Sequence, residues 1–242
     1  MSGRPAKIAG VMGGMGPDAT VDFMAKVIAL TNSGRDQDHI HMLVEQDPTV
    51  PNRQDAINSG VDNVSSHLAE MAQRLEACGA DFLVMVCNTA HVFLNDVHAT
   101  TNIPFISIID ESVGEIGRIF PRAKCVGVMA TDGCLDTNIY QDAIAASGRT
   151  SVVPDEENLK NLMHWIHAVK AGDQSDEVKQ GMASVADALV NDGAEVLIAG
   201  CTEIPIVFDG NDFAVPVVAS TDILARRTVE FAQGLVPLPD KH

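Results

Sequence analysis

Two cysteines, Cys87 and Cys201, stand where an α/β protein places its chemistry. Each follows a short continuous apolar run, Phe82-Leu-Val-Met-Val and Val196-Leu-Ile-Ala-Gly, and each precedes small hydrogen-bonding residues. Such runs are typical of buried strands in a parallel sheet, whose C-terminal ends carry the ligand sites of these folds. Cys87 also begins the turn into a predicted helix, where outward-pointing amides lower the pKa of a thiol and favour a nucleophilic or basic thiolate. Two such positions in one chain favour reactive thiols over inert ones.

The sequence around the two cysteines is repeated. Gly79-Ala-Asp and Gly193-Ala-Glu lead into the two runs, and the offset is 193 − 79 = 114 for the glycines and 201 − 87 = 114 for the cysteines. A proline follows each run, Pro104 and Pro216, at an offset of 216 − 104 = 112. An earlier landmark also repeats, because Lys7-Ile-Ala-Gly-Val11 resembles Lys124-Cys-Val-Gly-Val128 at an offset of 128 − 11 = 117. Landmarks in one order at nearly one offset indicate an internal duplication of about 115 residues, which predicts two pseudo-symmetric domains.

The predicted fold class is therefore α/β, with two pseudo-symmetric domains that each contain a parallel sheet flanked by helices. We expect the first domain to comprise residues 1–115 with 214–242, and the second to comprise residues 116–213. Periodicity further predicts a loop at 50–54, a helix at 59–78 and a strand at 103–109. If the two domains face each other, one cysteine approaches the cleft between them from each side.

Composition excludes several classes of partner. The chain has 242 residues, 46% of them apolar, and a formal charge of −17 from 33 acidic and 16 basic residues. This charge argues against nucleic acid, because phosphate binding needs clustered Lys and Arg. No apolar run reaches the roughly 18 residues of a spanning helix, so no membrane partner is expected. Five scattered cysteines indicate reduced thiols and, with no signal peptide recognised, predict a cytoplasmic location.

Arg53, Thr131 and Lys170 could each bind a small anion. Arg53 follows a strand end and could form a two-pronged hydrogen bond to a carboxylate, or it could be solvated. Thr131 could donate its hydroxyl to a carboxylate or cap the helix that follows. Lys170 lies in the last turn of a predicted helix, where a cation also satisfies exposed carbonyls. The residues alone leave both interpretations open at each position.

The segment Gly13-Gly14-Met15-Gly16-Pro17 predicts a tight turn after the first strand. Its amides could approach a small anion, or its glycines could serve only a sharp reversal, and the spacing is not that of a dinucleotide fingerprint. His39 and His41 share one face of a predicted strand without further ligands, so no metal site is predicted. No cofactor follows from these motifs.

Together, the Gly13–Pro17 turn, Cys87-Asn-Thr-Ala-His and Gly200-Cys-Thr-Glu resemble the cofactor-independent aspartate/glutamate racemase family, in its aspartate racemase branch. The resemblance covers essentially the whole chain, and Glu203 stands where glutamate racemases have His. It implies two α/β domains with the active site between them, a homodimer and no cofactor. The implied substrate is a small dicarboxylic amino acid, aspartate in the first place and glutamate in the second.

The resemblance also implies roles for individual residues. Cys87 and Cys201 would be the acid/base pair of a two-base proton transfer, which needs one thiolate and one thiol on opposite faces of the α-carbon. Family members usually have Thr where this chain has Cys134, which leaves one carboxylate contact and hence the substrate range open. The implied substrate-binding residues are Met15, Asn52, Arg53, Gln54, Asn88, Thr89, Thr131, Lys170 and Thr202.

Other functions remain open from the sequence. Maleate isomerases, hydantoin racemases and arylmalonate decarboxylases are relatives that use one or both equivalent cysteines. A non-catalytic protein on the same fold would bind small anions without exchanging the α-proton. A cysteine hydrolase would need a histidine base oriented by a third group, for which His91 is the candidate, although packing or hydrogen bonding within its helix is a simpler role for it.

Overall fold

The computed structural model of the chain describes residues 7–31, 33–207 and 213–241. These residues fall into two compact units. The first contains the described residues of Met1–Ile108 and Leu224–His242, and the second contains those of Ile109–Ile223. Each unit has its own parallel sheet flanked by helices, which confirms the predicted fold class.

The first unit is built on a four-stranded sheet. Its strands are β1 (Ala9–Gly13), β2 (Met42–Gln46), β3 (Phe82–Met85) and β4 (Phe105–Ile106). They are all parallel in the order β2-β1-β3-β4, so helical crossovers must connect them. The helices are α1 (Pro17–Thr31), α2 (Arg53–Ser59), α3 (Ser65–Ala77) and α4 (Leu94–Thr100), with 3₁₀ turns at Asp36–Asp38 and Thr89–Phe93.

The second unit repeats this plan. Its strands are β5 (Cys125–Ala130), β6 (Thr150–Val152), β7 (Val196–Gly200) and β8 (Val217–Ala219), all parallel in the order β6-β5-β7-β8. Helix α5 (Ile108–Ile119) starts at the unit boundary, and α11 (Ser220–Ala232) starts in this unit and continues in the first. The other helices are α6 (Asp132–Asp136), α7 (Ile139–Ala146), α8 (Glu156–Lys170), α9 (Asp176–Asn191) and α10 (Ile204–Val207).

The two sheets match each other down to single contacts, as the predicted internal duplication requires. Gly10 of β1 pairs with Leu83 of β3, and a Cβ added at Gly10 would lie 2.8 Å from Leu83 Cδ2. Gly127 of β5 pairs with Leu197 of β7, and a Cβ there would lie 2.5 Å from Leu197 Cδ2. Both strands need glycine at this position because a neighbouring side chain already fills the space.

The segments that enter β3 and β7 are also equivalent. Gly79 and Gly193 have φ angles of 98° and 101°, a left-handed conformation that favours glycine after a helix end. Two residues later, Asp81 accepts a hydrogen bond from the N–H of Ile8 at 2.7 Å, and Glu195 accepts one from the N–H of Cys125 at 3.1 Å. The repeated Gly-Ala-acid motif thus ties each central strand to the strand beside it.

Three predicted elements were wrong in type or extent. Arg53, expected in a loop, is the first residue of α2. The helix predicted at 59–78 begins only at Ser65, because Gly60 ends α2 with a φ of 66°. Asp62 then accepts hydrogen bonds from the N–H groups of Val64 and Ser65 and so marks the start of α3. The strand predicted at 103–109 is confined to β4, because α5 already begins at Ile108.

The two central strands are buried along their length. All four residues of β3 and all five of β7 are buried, as their continuous apolar runs predicted. In the first unit, Leu68 and Leu75 of α3 pack in one cluster with Leu83 of β3. Leu189 of α9 and Leu197 of β7 share the corresponding cluster of the second unit. Within the described residues, no helix is both long and apolar enough to cross a membrane.

Candidate active site

Cys87 lies at the carboxyl end of β3 and is 6% exposed. It packs in one apolar cluster with Met15 of the Gly-rich turn, Val50 of the loop after β2 and Ala56 of α2. The first unit therefore brings the thiol together with the segments that carry the predicted site residues Met15, Asn52, Arg53 and Gln54. Asn88 and Thr89 follow Cys87 directly and are buried with it.

His91 fastens the Cys87 turn to its surroundings. Its Nδ1 donates a hydrogen bond to the carbonyl oxygen of Cys87 at 2.8 Å, and its Nε2 accepts one from the N–H of Ile108 at 3.2 Å. Because a carbonyl oxygen only accepts and an N–H only donates, these partners place the ring proton of His91 on Nδ1. Burial lowers the pKa of His91 to about 4, so the ring is neutral at pH 7. Both ring nitrogens are thus engaged with the backbone, as a positioning role requires.

The Gly13–Pro17 turn is shaped by close packing. Gly14 has a φ of 95°, and a side chain at this position would collide with the backbone of Asp47. The N–H of Gly14 donates to the Thr20 hydroxyl at 2.9 Å. The structure therefore explains Gly14 by a sharp reversal beside another chain segment, and this amide is engaged within the protein.

Asn52, Arg53 and Gln54 form the start of α2. The Asn52 side chain is the N-cap and accepts a hydrogen bond from the N–H of Gln54 at 2.9 Å. Arg53 is half-buried, and its Nη1 donates to the carbonyl oxygens of Val50 at 3.1 Å and Pro51 at 3.0 Å. A guanidinium has five N–H donors, so an Arg53 held through Nη1 could still bind a carboxylate with the others.

Cys201 lies at the carboxyl end of β7 in a cluster of polar side chains. Its Sγ donates a hydrogen bond to Glu203 Oε2 at 2.9 Å, and the Thr202 hydroxyl donates to the same oxygen at 3.3 Å. The other carboxylate oxygen of Glu203 is 3.7 Å from Nζ of Lys170, in the last turn of α8. The second unit therefore brings together the predicted residues Cys201, Thr202 and Lys170 around one carboxylate.

The Cys201 environment favours the neutral thiol. Burial raises the pKa of Cys201 well above its usual value, and the negative charge of Glu203 raises it further, while Lys170 opposes the shift. Cys201 thus holds its proton at neutral pH, and its hydrogen bond directs that proton at Glu203. Lys170 is committed to this carboxylate, in addition to any contact that it makes with a ligand.

Thr131 follows β5 and begins α6. It is the N-cap of this helix, and its hydroxyl oxygen accepts a hydrogen bond from the N–H of Cys134 at 3.4 Å. Because β5 and β7 are neighbouring parallel strands, Thr131 and Cys201 lie at the same edge of the sheet. Cys134 is completely buried in α6.

Glu203 is the site residue that the sequence analysis did not select. The sequence carried a signal, because an acidic side chain directly beyond a buried strand must find hydrogen-bonding partners if it is buried. Glu203 is 4% exposed and has Cys201, Thr202 and Lys170 as partners. Among the described residues, no group of three or more His, Cys, Asp or Glu side chains is arranged to hold a metal ion.

Sequence comparison decides the family. A sequence model described as Asp/Glu/Hydantoin racemase matches residues 12–228, a span that includes both cysteine turns. The chain belongs to the Asp/Glu/Hydantoin racemase family. It is accordingly an enzyme of the racemase class of isomerases, and the resemblance inferred from the cysteine motifs is confirmed.

Individual relatives support this membership. The chain is 28% identical to the broad specificity amino-acid racemase RacX of Bacillus subtilis, over 91% of this chain and 96% of RacX. The solved Picrophilus torridus aspartate racemase is 27% identical, with a TM-score of 0.79 over 93% of this chain and 94% of that one. Glutamate racemase RacE1 from Bacillus anthracis shares the fold, with a TM-score of 0.70 at 18% identity, over 98% of this chain and 85% of that one.

Proposed function

We propose that this racemase interconverts L- and D-aspartate by two-base proton transfer between Cys87 and Cys201, with no added cofactor. The observation that carries the proposal is the Cys201–Glu203 hydrogen bond in a turn that duplicates the Cys87 turn. Two thiols occupy equivalent strand ends, and only one of them has a carboxylate at its sulfur. A two-base racemase needs such a pair, because its two cysteines must begin each turnover in opposite protonation states.

The chemistry follows from these protonation states. Cys87, as the thiolate, removes the α-proton of one enantiomer, and the Cys201 thiol donates its proton to the other face of the resulting carbanion. In the opposite direction Cys201 must first lose its proton, and Glu203 is the adjacent acceptor. The α-proton is much less acidic than a thiol, so the carbanion must be stabilised by cations and hydrogen bonds on the substrate carboxylates. Arg53 and Lys170 are proposed for this role.

The proposed substrate order is aspartate, then glutamate. Its support is the 27% identity to a solved aspartate racemase and the Glu at position 203. A broader substrate range is the second candidate, because RacX, which matches almost the whole chain, is named a broad specificity enzyme. Cys134, in place of the family Thr, also favours this second candidate, because a thiol is a much weaker hydrogen-bond donor than a hydroxyl.

The other functions that the sequence left open have less support. In a cysteine hydrolase His91 would have to accept a proton from Cys87, but both of its ring nitrogens are bonded to the backbone. The family includes hydantoin racemases, so this activity remains to be tested directly. A related isomerase, a decarboxylase or a non-catalytic anion-binding protein would each fail to form D-amino acids.

The experiment is a cofactor-free racemisation assay in D₂O. Purified protein is incubated separately with L-aspartate, L-glutamate, a neutral amino acid and a hydantoin, and the products are analysed by chiral chromatography and mass spectrometry. We expect D-aspartate that carries deuterium at the α-carbon, and no product from a Cys87→Ser/Cys201→Ser double variant. Loss of activity on dialysis against a chelator, with recovery on adding metal, would contradict the cofactor-free mechanism.

We further propose that the enzyme is a homodimer in the cytoplasm. The support is the racemase resemblance for the dimer and the reduced, scattered cysteines for the location. Sedimentation equilibrium should give twice the mass of the chain at micromolar concentration, and fractionation of the source cells should recover the protein with cytoplasmic markers. A concentration-independent monomer would contradict the first statement.

A further inference from the structure

Tyr140 is a fully buried tyrosine behind Cys201 that the proposed chemistry does not use. A Cβ added at Gly200 would lie 2.8 Å from Tyr140 Cε2, so the ring packs directly on the residue before Cys201. The Tyr140 hydroxyl is hydrogen-bonded to Ser112 and Ser220. We call Tyr140, Ser112 and Ser220 the hydroxyl cluster.

The hydroxyl cluster is joined to the strand that carries Cys201. Ser220 Oγ donates a hydrogen bond to the carbonyl oxygen of Ala199 at 2.8 Å, and Ala199 and Gly200 are the last two residues of β7. Ser112 and Ser220 are both completely buried. The Tyr140 ring thus packs on Gly200, and the Ser220 hydroxyl is bonded to Ala199, so both hold the end of β7.

The first unit has apolar side chains at the three equivalent positions. The residue equivalent to Tyr140 is Phe23, at an offset of 140 − 23 = 117. Nearby hydrogen bonds support this offset, because Thr20 and Thr137, which are also 117 residues apart, each donate to the carbonyl of a glycine four residues earlier. Helices α5 and α11 start at equivalent positions, Ile108 and Ser220, at an offset of 220 − 108 = 112. Ser220 therefore matches Ile108, and Ser112 matches Leu224, at 224 − 112 = 112. The equivalent residues, each 0% exposed, are Phe23, Ile108 and Leu224.

This difference is not required by the fold. The same architecture is completed in the first unit by three apolar side chains, whereas burying hydroxyls costs free energy unless they are hydrogen-bonded. The hydroxyls occur in the unit whose cysteine is hydrogen-bonded to a buried carboxylate. Burial raises the pKa of Tyr140 well above its usual value, with smaller contributions from Cys134 and Cys201, so the phenol keeps its proton and remains a donor.

We propose that the hydroxyl cluster positions Cys201 for proton transfer. The Ser220 hydroxyl fixes the end of β7, and the Tyr140 hydroxyl supplies a dipole that reorients as charge develops on the sulfur. Hydroxyl protons rotate to suit their partners, which apolar side chains cannot do. The ionisable groups that act on Cys201 are Glu203 on its own turn and Lys170 on α8, and those around Tyr140 include Cys134 on α6. The inference rests on the proposed function, because it assigns Cys201 a proton to move.

The test uses Tyr140→Phe, which keeps the ring against Gly200 and removes only the hydroxyl. The rate of Cys201 alkylation by iodoacetamide is measured against pH by mass spectrometry, and we expect it to fall about tenfold at a fixed pH below the midpoint. Exchange of the substrate α-proton in D₂O is then compared in two backgrounds. With Cys87→Ser, exchange through Cys201 should fall about tenfold, whereas with Cys201→Ser, exchange through Cys87 should not change.

Two controls separate positioning from general loss of packing. Phe23→Leu changes the equivalent core position of the first unit and should lower the melting temperature without shifting the Cys201 alkylation profile. Tyr140→Phe/Ser112→Ala removes both members of one hydrogen bond and replaces the single variant if that protein folds poorly. A folded variant with the wild-type alkylation profile overturns the inference. Because alkylation needs no substrate, it still tests the hydroxyl cluster if the wild-type protein fails to racemise aspartate.

Discussion

The Cys87 and Cys201 turns each follow the central strand of a sheet, and they differ in the helix that comes next and in their polar partners. A 3₁₀ turn begins at Thr89, whereas α10 begins at Ile204. Cys87 is followed two residues later by Thr89, and Cys201 at the same distance by Glu203, whose carboxylate accepts a hydrogen bond from the thiol. Four residues after Cys87, neutral His91 bonds the turn to the backbone, whereas the equivalent position in the second unit is Pro205.

In the proposed mechanism, this difference gives two identical side chains of a duplicated fold different roles. The strand ends hold both sulfurs in buried sites, and a single acidic residue then distinguishes them. Burial and then the charge of Glu203 raise the pKa of Cys201, whereas the first unit has an uncharged hydroxyl at the position that matches Glu203. In the proposed mechanism, an asymmetric function needs few departures from symmetry, because these lie next to the reacting atoms.

The largest expected effect comes from removing either sulfur. Cys87→Ser and Cys201→Ser should each lower the rate of racemisation by at least about a thousandfold, or about 4 kcal/mol, because a hydroxyl is far less acidic than a thiol. Each variant should still exchange the α-proton of one enantiomer in D₂O, and the two variants should prefer opposite enantiomers. Racemisation that persists in one variant would show that only one cysteine is needed.

His91→Gln tests the histidine hydrogen bonds of the Cys87 turn, which Pro205 cannot reproduce at the equivalent position of the second unit. The pKa of His91 is about 4 in the folded protein against 6.5 for an ordinary histidine. Between pH 4 and pH 6.5 the unfolded chain therefore binds a proton at His91 that the folded protein does not. The free energy of unfolding should therefore be highest above pH 6.5 and decrease toward pH 4, with this residue contributing on the order of 3 kcal/mol. Urea unfolding at pH 7.5 and pH 4.5 should show a smaller pH effect in the variant.

The matched control is His164→Gln, which replaces an exposed histidine of α8. Its stability should change with pH as in the wild type. If His91→Gln also keeps the wild-type pH dependence, then burial does not lower the pKa of His91 in the folded protein.

Glu203→Gln makes the second turn resemble the first by removing the charge. The Cys201 alkylation profile should move to lower pH, because the negative charge of Glu203 raises the pKa of Cys201. Racemisation should nevertheless fall by about a hundredfold, because Cys201 loses the adjacent proton acceptor. Thr89→Gln, at the equivalent position of the first unit, should leave the Cys201 profile unchanged. A fully active Glu203→Gln enzyme would remove Glu203 from the mechanism.

Arg53→Ala and Lys170→Ala compare the two cations, one from each unit. Each should lower kcat/KM for aspartate by about tenfold, or about 1.4 kcal/mol, through a lost carboxylate contact. Only Lys170→Ala should also move Cys201 alkylation to higher pH, since Lys170 lowers the pKa of that thiol. Lys160→Ala, which removes an exposed lysine of α8 paired with Glu156, is the control. Unchanged kinetics in both variants would assign Arg53 and Lys170 to structure alone.

Much of the fold could be predicted because burial leaves a simple pattern. The uninterrupted apolar runs of β3 and β7 and the repeated Gly-Ala-acid motifs identified the central strands and the duplication. Local capping was harder to predict. The helix predicted at 59–78 begins only at Ser65, because Gly60 takes a left-handed conformation and Asp62 accepts hydrogen bonds at the start of α3. The apolar spacing from Val61 onward does not reveal either feature.

The site could be predicted only in part, because its partners converge from distant segments. The cysteines stood out by their matched strand ends, but the approach of Lys170 to Glu203 depends on how α8 packs against α10. The Thr131 side chain is a helix cap, a role that its sequence left as one of two. Tyr140 gave no signal by itself, since a lone aromatic residue in a helix predicts a core position, and its hydroxyl partners come from α5 and the start of α11.

The exchange of helices at the unit boundaries has a consequence for how such a chain can be divided. Helix α11 follows β8 of the second unit, yet its Phe231 packs on Phe82 of β3, with ring centroids 6.3 Å apart. Helix α5 follows β4 of the first unit, yet its Ser112 bonds to Tyr140. If each unit were a separate half-length chain, its last helix would pack on a second copy, as in a domain-swapped dimer. Fusing two such copies would replace a bimolecular encounter with an intramolecular one, at an effective concentration that does not depend on expression level.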